Sequence, residues 1–227
     1  MTTNPVNIYE YEEIAKQRID QGDYDFIAGA ATDEITLRRT RAVFDSIMMK
    51  PRMMVDVSER DLSTTVLGNK ISFPVIMAPA GNHSAAHPDA ELATAKAAGR
   101  MDTLMALSSH ASRTMEDVAE VATGPLWFQY YFFKDRELTL DMAKRAEDAG
   151  YSALVVTLDA KIKPKRERNL RNNYVGPCLP TTPTSTYPPT PGSSAPTPRR
   201  VPATSATPPP PGTTWTGWRQ TPSCPWS

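Results

Sequence analysis

Phe73-Pro-Val-Ile-Met-Ala-Pro79, Thr103-Leu-Met-Ala-Leu107, Leu126-Trp-Phe-Gln-Tyr-Tyr131 and Ala153-Leu-Val-Val-Thr-Leu-Asp159 are short apolar runs that begin 23 to 30 residues apart. Each suits a strand buried on both faces. Helical stretches separate them. Pro88 opens an Ala-rich segment expected to stop at Gly99, Thr114-Met-Glu-Asp starts a second, and Glu137 to Ala149 forms a third ended by Gly150. Strand and helix alternating at this spacing give right-handed βαβ units and a parallel sheet. Four units suit either the opening of a doubly wound sheet or one half of a (β/α)8 barrel, and the rhythm alone does not choose.

Upstream, Asn7 followed by Glu10 reads as a capping box opening a helix, and Asp23 to Gly29 as a second short helix. Arg38 to Pro51 reads as a basic, irregular stretch. Thr64-Thr-Val-Leu-Gly-Asn-Lys-Ile71 reads as a hairpin turning at Gly68-Asn69. Downstream the composition breaks. No Asp or Glu follows Glu167, and fifteen of the 22 prolines lie at or beyond Pro177. Such a tract buries too little apolar surface to offset its ordering entropy, so it is expected to be a disordered Pro/Thr-rich tail. The chain therefore divides into an N-terminal helical and hairpin segment (1–72), four β/α units (73–176) and an aberrant tail (177–227).

The 25 basic and 25 acidic residues balance, which argues against an electrostatic nucleic-acid or membrane partner. Both cysteines, Cys178 and Cys224, fall in the tail, so the globular part holds no disulfide. The opening Met1-Thr-Thr-Asn-Pro-Val6 shows no signal-peptide pattern, and no apolar run reaches membrane-spanning length. The expected compartment is the cytoplasm.

In parallel α/β folds the chemistry sits at the carboxyl ends of the strands. There the first run ends in Pro79, Ala80 and Gly81, small residues that let a flat ring approach the backbone. The second ends in Ser108-Ser109-His110. Gln129 and Tyr131 share one face of the third, as do Thr157 and Asp159 on the fourth. Arg166 follows in a cationic segment. Singly, these are ordinary strand polar groups, a core tyrosine and a loop charge; their recurrence at four successive strand ends is what makes them a candidate site. His83, His87 and His110 lack metal-ligand spacing, so no metal is expected.

Residues 8 to 176 resemble the FMN-dependent 2-hydroxy acid oxidases and dehydrogenases. The resemblance rests on Tyr24-Asp-Phe-Ile-Ala-Gly-Ala30, Met77-Ala-Pro-Ala-Gly81, Leu107-Ser-Ser109, Phe128-Gln-Tyr-Tyr-Phe-Phe-Lys-Asp135, Thr157-Leu-Asp159 and Lys165-Arg-Glu-Arg-Asn-Leu-Arg-Asn172. It implies the N-terminal half of a (β/α)8 TIM barrel and FMN as cofactor. It also implies a small, lactate-like 2-hydroxy acid as substrate, with homo-oligomers among the full-length relatives. By the same resemblance, Pro79, Ala80, Gly81, Ser108, Gln129 and Thr157 would face the flavin. Tyr24, Tyr131 and Arg166 would bind substrate. Tyr131 and Asp159 would serve catalysis, Asp159 by orienting a histidine. His110 stands where glycolate oxidase has tryptophan, which speaks against glycolate as substrate.

The family's flavin-facing lysine, catalytic histidine and phosphate loops belong to the second half-barrel and have no counterpart here. The tail suggests a reason. Read in a frame shifted by one base, Trp215-Thr216 encodes Asp and Gly217-Trp218 permits Leu, both family-like. The expectation is a frameshifted, truncated and inactive chain, the alternatives being a genuine Pro-rich linker, a non-catalytic fragment, or a different FMN barrel such as a flavin-dependent isomerase.

Overall fold

The computed structural model describes residues 4–160, 162 and 164–176. The tail expected to be disordered, with its shifted frame, lies outside the described residues. Helix α1 (Ile8–Arg18) opens as its capping box requires. Asn7 Oδ1 accepts from the amides of Tyr9 and Glu10 at 3.0 and 3.1 Å, and Asn7 Nδ2 donates to Glu10 Oε1 at 2.8 Å. Helix α2 (Gln21–Ala28) begins two residues before Asp23, because Asp20 caps it by accepting from Gly22 N at 2.9 Å.

The stretch read as irregular from Arg38 is instead mostly helix, α3 (Ile35–Asp45). Its arginines and alanine are good helix formers, and the nearest proline comes only at Pro51. The helix starts from Glu34 at a left-handed φ of 55° with no side-chain cap, and the Glu34 carboxylate instead takes Arg168 and the Ala30 amide. The hairpin forms, as β1 (Thr64–Val66) and β2 (Asn69–Ile71), but turns one residue earlier than expected. Leu67 and Gly68 occupy the turn with φ of 46° and 80°, the two positive values that a two-residue hairpin loop demands.

The central sheet has three parallel strands in the order β3 (Met105–Ser108), β4 (Leu126–Tyr131) and β5 (Ala153–Thr157). The strand expected at Phe73 to Pro79 reduces to a single bridge. Met77 N donates to Leu104 O, and Ala106 N to Met77 O, both at 2.9 Å. Pro74 and Pro79 have no N–H to extend the ladder, and Val75 N turns back on Phe73 O at 2.8 Å. The second strand starts at Met105 rather than Thr103 for the same reason: it can pair only where its neighbours do.

Helices α4 (Ala90–Arg100), α5 (Met115–Val121) and α6 (Arg136–Asp148) cover one face of the sheet. Helix α4 does not stop at Gly99 but contains it. A Cβ on Gly99 would collide with Thr123 Oγ1, so the glycine serves helix–loop packing instead of a cap. Thr114 caps α5 and Asp135 caps α6 through side-chain acceptors. The core lies between this helical layer and the sheet, with Met105, Leu107, Met115, Val118, Phe128 and Met142 fully buried.

The alternation along β4 sends Leu126, Phe128 and Tyr130 into that core and Gln129 and Tyr131 to the opposite face. Leu154 and Val156 pair with Phe128 and Tyr130 but are 45% and 37% exposed, since the short helix that follows β5, Glu167–Arg171, packs against α2 instead of covering the strand. The outer edge of β5 is likewise unpaired among the described residues.

Candidate active site

Parallel register places the polar residues in a row across the strand ends. Ser108 lies opposite Gln129, and Thr157 opposite Tyr131. Ser108 Oγ donates to Gln129 Oε1 at 3.1 Å, and Gln129 Nε2 donates to Thr157 Oγ1 at 2.7 Å. Ser108 Oγ also accepts from His110 N at 3.1 Å. Ser108 and Gln129 are nearly inaccessible, at 4% and 2%. Buried polar groups persist only when satisfied, and this row satisfies its own members while leaving further lone pairs and N–H groups to spare.

A second cluster forms around Gly81. A Cβ there would lie 2.8 Å from His110 Cβ and 2.9 Å from His110 O, so the contact tolerates glycine best. Asn82 N donates to His110 O at 2.9 Å and fixes the two loops together. The His110 imidazole meets the Tyr131 ring edge-on, 5.2 Å between centroids. Burial lowers the pKa of His110, which favours its neutral form beside the tyrosine. Pro79 and Ala80 are exposed, presenting open backbone next to this cluster.

Helix α2 is tied to the segment after β5. Thr32 N donates to Lys165 O at 2.9 Å. Arg166 Nη1 donates to Phe26 O at 2.7 Å, with its guanidinium 4.8 Å over the Phe26 ring. Asn172 Nδ2 donates to Asp25 Oδ2 at 2.9 Å, and Tyr174 OH to Asp23 Oδ1 at 2.7 Å. Tyr174 stacks on Phe26 and accepts from Asn82 Nδ2 at 3.4 Å, which links α2 to the Gly81 loop. Tyr24 OH donates to Glu12 Oε1 at 3.1 Å; partial desolvation, then this carboxylate, raises the phenol's pKa.

The structure thus brings together Ser108, Gln129 and Thr157, and sets Gly81 beside Tyr131 through His110. Tyr24 and Arg166 gather separately around α2, where Arg166 is engaged by a carbonyl and a ring. Asp159 is exposed just beyond β5. Two positions that sequence reading passed over also belong to the site, Asn82 and Tyr174. Only their long-range hydrogen bonds reveal them.

One ion pair anchors this assembly. Arg168 Nη2 lies 2.5 Å from Glu34 Oε2, and Ala30 N donates to Glu34 Oε1 at 3.1 Å. The arginine's hydrogen bond, then the amide, hold the Glu34 carboxyl below its ordinary pKa. A depressed folded-state pKa gives stability that is present above the unfolded value and lost as pH falls through the folded one. Acid is therefore expected to loosen residues 165–174 from the segment at the start of α3, beginning below about pH 4.3, the ordinary glutamate value. Glu167, lowered by Lys165 and Arg171, adds to the same window. Amide chemical shifts of Thr32 and Tyr174 followed from pH 6 to 3 should show the transition in the native chain. In Glu34→Gln they should already start displaced, and an identical titration in that variant would discount the pair.

The chain matches the FMN-dependent dehydrogenase family over residues 15–206, beyond the end of the described segment. It belongs to that family. Among its relatives it is 44% identical over 179 residues to an L-lactate oxidase of Nostoc sp., covering 77% of this chain and 49% of that protein. It is 43% identical over 171 residues to glycolate oxidase 3 of Arabidopsis thaliana, covering 75% of this chain and 46% of that protein. A soluble mutant of the membrane-associated (S)-mandelate dehydrogenase of Pseudomonas putida superposes with a TM-score of 0.74 at 36% identity, over 77% of this chain and 50% of its own. A mandelate oxidase with (S)-mandelic acid gives the same score at 30% identity, over 77% of this chain and 52% of its own. The chain thus spans about half the length of the relatives it matches, and its fold is the N-terminal half of the (β/α)8 barrel of these flavoenzymes.

The family depends on FMN. The residues present fit its ring: a satisfied row of neutral donors and acceptors, open backbone at Pro79 and Ala80, and a glycine where a Cβ would crowd His110. Among the described residues no three His, Cys, Asp or Glu gather as a metal site would need. No helix among them is long and apolar enough to cross a membrane.

Proposed function

We propose that residues 73–176 form the flavin- and substrate-facing half of an enzyme that oxidises a small, lactate-like 2-hydroxy acid to the 2-oxo acid, with 1–72 as an N-terminal helical and hairpin segment and 177–227 as an aberrant low-complexity tail. The observation that carries this is the Ser108–Gln129–Thr157 row beside the Gly81–His110–Tyr131 cluster, on adjacent strand ends. Ser108, Gln129 and Thr157 orient the ring's polar edge, and Pro79, Ala80 and Gly81 meet its face. Tyr131 and Tyr24 offer hydroxyls to the substrate's hydroxyl and carboxylate, and Arg166 a charge-assisted bond to that carboxylate. His110 keeps water from one side of Tyr131. When bound, the flavin supplies the acceptor for the hydride leaving the α-carbon. Asp159 would orient a histidine supplied by the half of the barrel that this chain does not match. The reading also carries a cytoplasmic setting and a homo-oligomeric full-length form.

The 227-residue chain alone should give no turnover, since among the described residues no further strands complete the sheet around the site. The test joins residues 1–176 to the second half-barrel of an L-lactate oxidase and follows anaerobic flavin bleaching. Bleaching by L-lactate is the expected result. A flavin-loaded chimera that no 2-hydroxy acid bleaches would defeat the oxidase reading and favour a different FMN barrel, such as an isomerase.

A further inference from the structure

Glu91 is the most deeply buried charged residue of the described chain, at 0% exposure in the first turn of α4, and nothing in the flavin or substrate reading uses it. Among the described residues its carboxylate forms no ion pair with a base. Three donors from two loops converge on Oε1 instead: His83 N at 3.1 Å, Ser112 N at 2.9 Å and Ser112 Oγ at 3.2 Å. Oε2 is buried as well and meets no donor among the described residues. The two loops hold each other by further bonds, Ser84 N to Ser112 Oγ at 3.0 Å and Asn82 N to His110 O at 2.9 Å. The chain enters the helix through Ala90 at a φ of 49°, which is disfavoured for a residue with a Cβ. That strained entry directs Glu91 inward rather than to solvent.

We propose that Glu91 is a positioning residue: its Oε1 pins the loop behind Pro79–Gly81 to the loop carrying His110, and so sets the gap between the flavin-facing backbone and the His110–Tyr131 pair. The inference rests on the flavin reading only for what that gap receives; the clamp itself stands on the hydrogen bonds. One acceptor serving three donors explains why the two loops keep the close approach seen at Gly81.

The test is amide hydrogen exchange with imidazole titration on the apo 227-residue chain, in Glu91→Ala and Glu91→Gln. A glutamine retains one carbonyl acceptor in nearly the same volume, whereas alanine leaves His83 N and Ser112 N without their acceptor. In the alanine variant, exchange at residues 82–84 and 110–112 should quicken by about tenfold or more while β4 amides stay protected. The His110 pKa should rise toward its ordinary value as the loop opens to water. Glutamine should restore both. The proposal is overturned if alanine leaves these loops protected, if it releases β4 equally, or if glutamine fares no better than alanine. Repeating the exchange with FMN on the chimera of residues 1–176 with a relative's second half-barrel separates the two readings, because a clamp that behaves as expected with no flavin-induced protection at Ala80 and Gly81 would fault the flavin assignment and spare the clamp.

Discussion

Replacing Phe128 with alanine is expected to unfold the described domain. Phe128 is fully buried in the central strand, stacked with Tyr130 at 6.3 Å and edge-on to Tyr151 at 6.0 Å. A Phe→Ala change in such a site removes transfer energy and leaves a cavity, together about 3–5 kcal/mol. Whole domains hold only about 5–15 kcal/mol in reserve. This one has less to draw on, because Leu154, Val156 and Met77 remain exposed at its open sheet edges. Urea unfolding followed by far-UV circular dichroism should show the variant largely unfolded at concentrations where the parent is folded. Leu140→Ala, on the 70% exposed face of α6, serves as the control and should shift stability by no more than about 0.5 kcal/mol. A Phe128→Ala midpoint equal to that of the control would mean that the core lies elsewhere.

The strand that buries Phe128 was legible in the sequence, and the reason is local. Leu126 to Tyr131 is apolar, of strand length and free of proline, so its pairing follows from its own composition. Phe73 to Pro79 looks as apolar but carries a proline at each end, and those ends leave a single bridge where a strand was expected. Asn7 and Glu10 announce α1 because both halves of the cap lie within four residues. Helix α3 announces itself poorly, since Glu34 before it gives no side-chain cap and its carboxylate is taken by Arg168, 134 residues away. The hairpin was misplaced by one residue because the positive φ fell on Leu67, which no turn preference selects.

The candidate site divides the same way. Gln129 with Tyr131, and Thr157 with Asp159, could each be placed on one face of their own strand by two-residue alternation, and the parallel register then joins Ser108 and Thr157 to Gln129 and Tyr131. What alternation cannot show is contact between loops. His110 against Gly81, Tyr174 between Asp23 and Asn82, and Glu91 beneath both strand-end loops are each set by packing across long sequence distances. Arg166 was readable as a cation near the site but not as one whose guanidinium already donates to Phe26 O. If that arginine is to take a carboxylate, it must do so with the N–H groups left over, a geometry that the planar guanidinium allows.

The sharpest functional test is Gln129→Leu in the chimera of residues 1–176 with a relative's second half-barrel. Leucine is close to glutamine in size, so the strand and its core face should persist. The row, however, is cut at its centre: Ser108 Oγ loses its acceptor and Thr157 Oγ1 its donor, in a site where Ser108 is 4% exposed. The unmatched Ser108 and Thr157 cost stability with and without flavin, whereas affinity falls through the lost hydrogen bond from Gln129 to the ring, whose buried partner left unmatched costs about 1–3 kcal/mol. At about 1.4 kcal/mol per decade, FMN affinity should fall by roughly 10- to 100-fold. Fluorescence titration of FMN measures the affinity, and circular dichroism checks the fold. An unchanged fold with an unchanged affinity would reduce the row to strand packing and move the flavin site elsewhere. A weakened affinity accompanied by normal bleaching once flavin is saturating would separate holding the ring from the chemistry at Tyr131, because an interaction lost equally from ground and transition states alters binding and leaves turnover alone.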